Sequence, residues 1–195
     1  DALTLPIGPD SPVIRGYRTL LTSDPPRTAE IVRGECLGGS GAVNGCYFWR
    51  ALPQDFEGVP GWSWAQVERH YRAVETRIAA RPVEFSASTE RFVAAAGAAG
   101  FGSGVSPVPL NIDHGRRRGP GTVFLEPALT RPNLTVLTGV RAVRVRLTGG
   151  RAVGIDAIAA DGPVTLDADR VVLTAGAVAT AQLLLCSGIG PADDL

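Results

Sequence analysis

Between Asn133 and Ala177 the chain changes character, and this stretch constrains the fold more than any other. The runs NLTVLTG, AVRVRLTGG, RAVGIDAIAADG, PVTLDADR and VVLTAGA are short and β-branched, and Gly-Gly and Asp-Gly pairs punctuate them. Such side chains suit a pleated, half-buried surface, and two-residue glycine turns have the twist that joins antiparallel neighbours. The pattern predicts a small antiparallel meander. Its last run, Val171 to Thr174, reads as a buried strand and leads through Ala175 and Gly176 into the helical stretch AVATAQLLLCSG. A buried strand, a glycine turn and a helix, in that order, is how an α/β nucleotide-binding sheet adds a strand.

The preceding residues divide into two further segments, so the expected organisation is 1–60, 61–130 and 131–195. Residues 1–33 hold Pro6, Pro9, Pro12, Pro25 and Pro26 and read as an extended arm laid over something else. In SWAQVERHYRAVETRI the apolar residues Trp64, Val67, Tyr71, Val74 and Ile78 recur at the spacing of an amphipathic helix, with Ser63 and Gln66 as a capping box. A second helix is expected through STERFVAAAGAAG, with Ser88 as its cap and Gly100 as its stop. GFGSGVSPVPLNIDHGRRRGPG reads as a long loop.

Charge and cysteine usage exclude several classes. Nineteen acidic and nineteen basic residues balance, so the chain lacks the basic footprint of a nucleic-acid binder. Cys36, Cys46 and Cys186 are odd in number and form no CxxC, which argues against a disulfide framework or a zinc site and suits a reducing cytoplasm. No apolar run approaches the ~20 residues that cross a bilayer. The chain contains no methionine, and position 1 reads as an internal cut or a processed end.

The stretch LGGSGAVNG, Leu37 to Gly45, is the densest glycine cluster. Glycines at 38, 39, 41 and 45 let the backbone approach a flat ring or a pyrophosphate, while Ser40 and Asn44 add hydrogen-bonding groups. Taken alone it is equally readable as a set of turns. AGAVATAQLLLCSGIG, from Ala175 to Gly190, is likewise readable as a core helix with a glycine C-cap.

Together the two stretches resemble the glucose-methanol-choline (GMC) oxidoreductases, FAD-dependent enzymes that oxidise alcohols. The first family signature is matched by Gly34, Cys36, Leu37, Gly38-Gly39, Ser40-Gly41, Val43, Asn44, Phe48 and Ala51, with Glu35 standing where a basic residue is usual. Gly176, Ala177, Thr180, Leu183-Leu184 and Ser187-Gly188-Ile189-Gly190 match the second, with Ala181 replacing Pro or Ser. GWSW, Gly61 to Trp64, and RPNLTVLTG, Arg131 to Gly139, extend the likeness between them. GSGAVNG, LNIDHG and ADGPVTLDAD further resemble the members associated with the mycofactocin redox system of actinobacteria.

The resemblance implies an α/β fold: part of a Rossmann-like FAD-binding domain carrying a small antiparallel meander and helices. It implies that Gly38, Gly39 and Ser40 approach the FAD pyrophosphate and ribitol, and that Asn44, Gly45 and Cys46 lie near the isoalloxazine. It sets the backbone of Ala142 against the adenine and Ala175 with Gly176 beside the adenosine portion. Some members attach the flavin covalently through a His before the Asn; Val43 stands there, so the FAD is expected to be non-covalent. A carboxylate at Glu35 would repel a pyrophosphate unless it faces solvent.

Two parts of such an enzyme are missing from the sequence. No strand leads into a GxGxxG, and GFGSG at 100–104 has the wrong spacing and follows a helix. The family's catalytic His lies far beyond the SGIG signature. His70 falls on the amphipathic helix and His114 in a turn next to Arg116, Arg117 and Arg118, which read as a solvated basic loop. No residue is assigned as catalytic, and Ser40 lacks the GxSxG elbow of a hydrolase. The expected function is oxidation of a small-molecule alcohol, with an electron acceptor as second partner, by a longer protein of which this chain is a central fragment without turnover of its own. The first βαβ unit and the C-terminal substrate domain would lie outside it. The alternative is a truncated homologue serving as a non-catalytic binding or interaction module.

Overall fold

The structure is a computed structural model that describes residues 6–8, 10–101 and 105–195. It divides into two compact units, Asp1–Leu134 and Thr135–Leu195. The tripeptide at 102–104, and with it most of GFGSG, lies outside the described residues, as do Pro9 and residues 1–5.

The first unit begins with a hairpin. Strand β1, Ile14–Ser23, pairs antiparallel with β2, Pro26–Gly34, in register from Ile14 opposite Gly34 to Ser23 opposite Pro26, with a bulge near Leu20. The sequence reading expects an arm laid on other structure; the arm instead pairs with itself. Proline is no obstacle here, because Pro26 opens its strand, a position where a missing N–H costs little.

The helix expected from SWAQVERHYRAVETRI is α1, Trp64–Ile78. At its start the Gln66 Oε1 accepts from the Ser63 amide at 3.3 Å and the Ser63 hydroxyl at 2.9 Å. Val67 and Ile78 are buried on its inner face, while Trp64 and Tyr71 meet at 6.2 Å and join Phe48, Phe56 and Trp62 in one aromatic cluster. Two-residue strand β3, Arg81–Pro82, follows, then α2, Ala87–Ala98. The cap of α2 is Ser86, whose Oγ accepts from the Thr89 amide at 3.3 Å; Ser88 is already inside the helix. Gly100 stops it as expected, with φ +88 and its amide on the Gly97 carbonyl.

The long loop is more ordered than its composition suggests. Strand β4, Pro109–Leu110, pairs with β3, and β5, Ile112–Asp113, pairs with β6, Arg116–Arg117, across the two-residue turn His114-Gly115. Both turn residues have positive φ, 47° and 71°, the conformation that matches the twist of a tight hairpin. A π turn, Gly121–Leu125, and a 3-10 turn, Glu126–Ala128, complete the unit.

The second unit is the expected meander. Strands β7, Arg141–Thr148, β8, Arg151–Ala159, and β9, Gly162–Asp167, form an antiparallel sheet in chain order, closed by two-residue turns at Gly149-Gly150 and Ala160-Asp161. Val145 and Ala157 are buried at 4% and 2% exposure, while Arg144 reaches Asp156 at 2.6 Å on the outer face. Helix α3, Gly176–Cys186, joins β7 through Ser187, whose Oγ accepts from the Val145 amide at 2.8 Å and donates to the Leu183 carbonyl at 2.5 Å.

Two expected strands do not form. NLTVLTG, before β7, enters no ladder, and neither does Val171 to Thr174, where Val172 is 73% exposed. A strand with apolar residues on both faces needs a hydrogen-bonded neighbour, and none of the described residues supplies one to this run.

Candidate functional site

The glycine stretch is built by backbone meeting backbone. Leaving β2, the chain folds sharply so that Gly34 abuts the next turn: a Cβ there would lie 2.4 Å from the Gly39 carbonyl oxygen. The Gly34 amide donates to Ser40 Oγ at 3.0 Å, which fixes the fold-back. Gly38, with φ +90, starts a 3-10 turn, Gly39–Ala42, and its other side rests on Gly121, whose amide would be 3.0 Å from an added Cβ. Gly41 packs against Pro120, whose Cδ would lie 2.7 Å from an added Cβ. The loop LGGSGA is therefore seated on the segment Gly119-Pro120-Gly121, about eighty residues away in sequence.

Gly39 differs from its neighbours. Its φ is +55, and apart from its chain neighbours no atom lies within 4 Å of where a Cβ would stand, so its Cα faces open space, while its amide donates to the Cys36 carbonyl at 2.8 Å. Ser40, beside it, uses its oxygen as an acceptor and keeps its hydroxyl proton for another group. A backbone without a side chain allows the oxygens of a pyrophosphate to approach closely, and the Ser40 hydroxyl can donate to one, so the residues present fit the group that the resemblance implies. The departure at Glu35 does not oppose this, because the carboxylate is half exposed and lies 3.6 Å from Arg15 Nη1.

Beyond the 3-10 turn, Val43 is buried at 5% exposure. Asn44 then makes a tight turn in which its Oδ1 accepts from the Cys46 amide at 2.9 Å. Cys46 is buried at 1% exposure and has a left-handed φ of +62. The Arg117 Nη1 donates to the Asn44 carbonyl and to Cys46 Sγ, the latter at 3.0 Å. The Cys46 carbonyl accepts from the Asn111 amide at 3.0 Å. Asn111, itself buried, donates its Nδ2 to the Arg118 carbonyl at 3.1 Å and receives the Arg118 amide at 2.8 Å. The ring of Tyr47 lies over Gly45, 3.2 Å from the place a Cβ would take.

The strand-like segment that follows is anchored on α1. Arg50 meets Glu75 with two parallel hydrogen bonds of 2.5 Å, approaches Glu68 at 3.7 Å and lies over the Tyr71 ring. The Tyr71 hydroxyl oxygen accepts from the Ala51 amide at 3.2 Å. The Arg50 hydrogen bonds hold the Glu75 carboxyl below the ordinary carboxylate range, against a smaller opposing effect of burial.

In the second unit Ala142 lies on β7 opposite Ala157, next to an irregularity in the ladder that frees the strand from strict pairing. Ala175 is the N-cap of α3, and Gly176 has φ +83 with nothing near its absent side chain. An open groove of about 500 Å³ runs beside it, lined by Leu173, Gly176, Ala177, Thr180 and Leu184. Gly38, Gly39, Ser40, Asn44, Gly45 and Cys46 belong to the first unit, and Ala142, Ala175 and Gly176 to the second.

Sequence reading misses three participants. Arg117 is taken there for solvated charge, yet it holds the Asn44–Cys46 turn. Gly119 to Gly121 is taken for loop, yet it is the seat of the glycine stretch. Ser187 is taken for part of a C-cap, yet it bridges α3 to β7. The GPG triplet was the one local signal. The histidines behave as expected: His70 is exposed on α1, and the His114 side chain is 95% exposed beside Asp113. Among the described residues no cluster of His, Cys, Asp or Glu could hold a metal, the three cysteines are free, and no helix is long and apolar enough to cross a membrane.

Known proteins resemble this chain in sequence and in fold. An uncharacterised GMC-type oxidoreductase from the thcA 5′ region of Rhodococcus erythropolis is 40% identical over 222 residues, covering 100% of this chain and 45% of that protein. An oxygen-dependent choline dehydrogenase of Brucella anthropi is 31% identical over 193 residues, covering 84% of this chain and 35% of that protein. The crystal structure of pyridoxine 4-oxidase from Mesorbium loti superposes with a TM-score of 0.77 at 27% identity, over 93% of this chain and 42% of that one. The chain spans less than half the length of the curated relatives it matches. With the family model for GMC oxidoreductases matching residues 16–195, the glycine stretch and the α3 turn fall within one shared frame, and the chain belongs to the GMC oxidoreductases, a family of FAD-binding flavoproteins.

Proposed function

We propose that this chain forms part of the flavin cradle of an FAD-dependent enzyme that oxidises a small-molecule alcohol. The observation that carries this reading is the left-handed Gly39, whose Cα faces open space, with the Ser40 hydroxyl beside it, within a family match over residues 16–195. Gly38 and Gly39 bring backbone to the pyrophosphate, and Ser40 donates its hydroxyl proton to a phosphate oxygen. Asn44, Gly45 and Cys46 line the edge of the isoalloxazine. Ala142 offers its backbone to the adenine, and Ala175 with Gly176 borders the adenosine. Bound FAD supplies the hydride acceptor for the carbinol carbon.

Val43 has no nucleophilic atom and is buried, so the cofactor is held without a covalent bond at that position. Neither His70 nor His114 is enclosed enough to take the alcohol's proton, so the general base belongs to the rest of the full-length protein. A second substrate accepts the electrons. The three free cysteines suit a reducing cytoplasm.

The test is to express the full-length coding sequence, measure bound flavin from its visible absorbance and mix the protein anaerobically with a panel of alcohols. Stoichiometric FAD that bleaches with at least one alcohol supports the reading, and the present chain alone shows no turnover. A folded full-length protein that takes up no FAD overturns it. So does tight binding with alcohol-dependent bleaching by this chain alone, for the division of labour.

A further inference from the structure

We propose that Arg117 is a positioning residue for the flavin, locking the Asn44–Cys46 turn into the one shape that presents it to the ring. This deepens the functional reading above and rests on it. The turn does not hold itself. Cys46 is a non-glycine residue with φ +62, a conformation that a Cβ disfavours, and the short Asn44 side chain restrains it on one side only. From the other side Arg117 donates a single guanidinium nitrogen to both ends of the turn, the Asn44 carbonyl and Cys46 Sγ.

The arginine is itself aimed. It sits at the end of β6, and the hairpin of β5 and β6 is closed at its base by Asn111 and Arg118, which exchange backbone and side-chain hydrogen bonds. Asn111 also donates its amide to the Cys46 carbonyl. The hairpin thus grips residue 46 through its carbonyl and its sulfur, while its exposed tip at His114 plays no part. Such a design fixes backbone shape by charge-assisted hydrogen bonds, which are stronger than neutral ones. A lysine, with a compact ammonium and three donors, reaches the same two acceptors less rigidly.

The experiment uses the full-length protein with four variants: R117M, R117K, C46G, and R117M with C46G. Binding of FAD to the apo-protein is followed by flavin fluorescence, the flavin environment by the visible absorption band, and fold by circular dichroism. Alkylation of Cys46 by iodoacetamide, read by peptide mass spectrometry on the apo-protein, reports the turn without any flavin. R117M is expected to weaken FAD binding by about tenfold or more, shift the visible band and speed Cys46 alkylation, with R117K intermediate. Glycine adopts a left-handed φ freely, so C46G in the R117M background is expected to restore much of the FAD affinity.

A folded R117M with unchanged FAD affinity, band and alkylation rate overturns the proposal. A loss that C46G does not relieve also overturns it, because the arginine then acts by some route other than the turn. If R117M does not fold, R117K is read with and without C46G, and the same rescue decides. Absence of FAD binding in the wild type would instead sink the functional reading, while the Cys46 alkylation rates would still report whether Arg117 holds the turn.

Discussion

The LGGSGA turn and the turn into α3 use glycine for different reasons. At Gly34, Gly38 and Gly41 the space for a side chain is already taken, by the Gly39 carbonyl, the Gly121 amide and the Pro120 ring. At Gly176 the space is empty and only the φ of +83 excludes other residues. The first turn is therefore specified by a close fold-back at Gly34 and by packing on Gly121 and Pro120, about eighty residues away in sequence. The second is specified by local backbone geometry. A glycine-rich motif on paper does not distinguish these cases, yet they respond differently to the same substitution.

The largest effect is expected at Gly34. Adding a methyl group puts carbon 2.4 Å from backbone oxygen, which no rotamer change relieves, so Gly34→Ala should cost at least about 3 kcal/mol. Urea denaturation of the full-length protein measures this, and an unchanged midpoint would show that the fold-back against Ser40 is not as tight as described. Gly41→Ala meets a proline ring that can shift slightly, and about 1–3 kcal/mol is expected.

Next comes the anchor that follows the first turn. Glu75→Gln breaks the paired hydrogen bonds with Arg50 and should cost about 1–2 kcal/mol at neutral pH. The carboxyl is depressed in the folded state, so its contribution is present above the unfolded value of about 4.3 and fades as pH falls through the lower folded value. The wild type should therefore lose more stability than Glu75→Gln between neutral and acid pH, as urea midpoints at several pH values would report. Parallel curves for the two proteins would remove Glu75 from the account.

Much of this was legible in the sequence where structure is local. The capping box of α1, the meander and its Gly149-Gly150 turn depend on neighbours a few residues apart, and the pattern declares them. What was not legible is long-range. That Pro120 fills the space beside Gly41, or that Arg117 reaches Asn44, depends on 70-odd residues of intervening chain returning to one place. Val171 to Thr174 shows the converse: its composition is that of a buried strand, but a strand also needs a partner, which composition does not reveal. The residues proposed to face the flavin rest on the family resemblance, whereas the reason for each glycine lies in its packing and its φ.

The sharpest comparison pairs Gly176→Ala with Gly39→Ala. Both glycines have positive φ and open space around them, so each substitution introduces only the left-handed penalty, about 1–2 kcal/mol. The two variants should lose similar stability. On the proposed function they should differ in cofactor binding, because a methyl group at Gly39 would then stand between backbone and pyrophosphate, whereas one at Gly176 would only narrow the rim of an open groove. Titrating FAD into both apo-proteins under identical conditions is expected to show a loss of tenfold or more, worth about 1.4 kcal/mol, for Gly39→Ala and a few-fold loss for Gly176→Ala. Equal losses would mean that Gly39 is conformational in the same sense as Gly176, and that the phosphate-facing role belongs to another stretch of backbone.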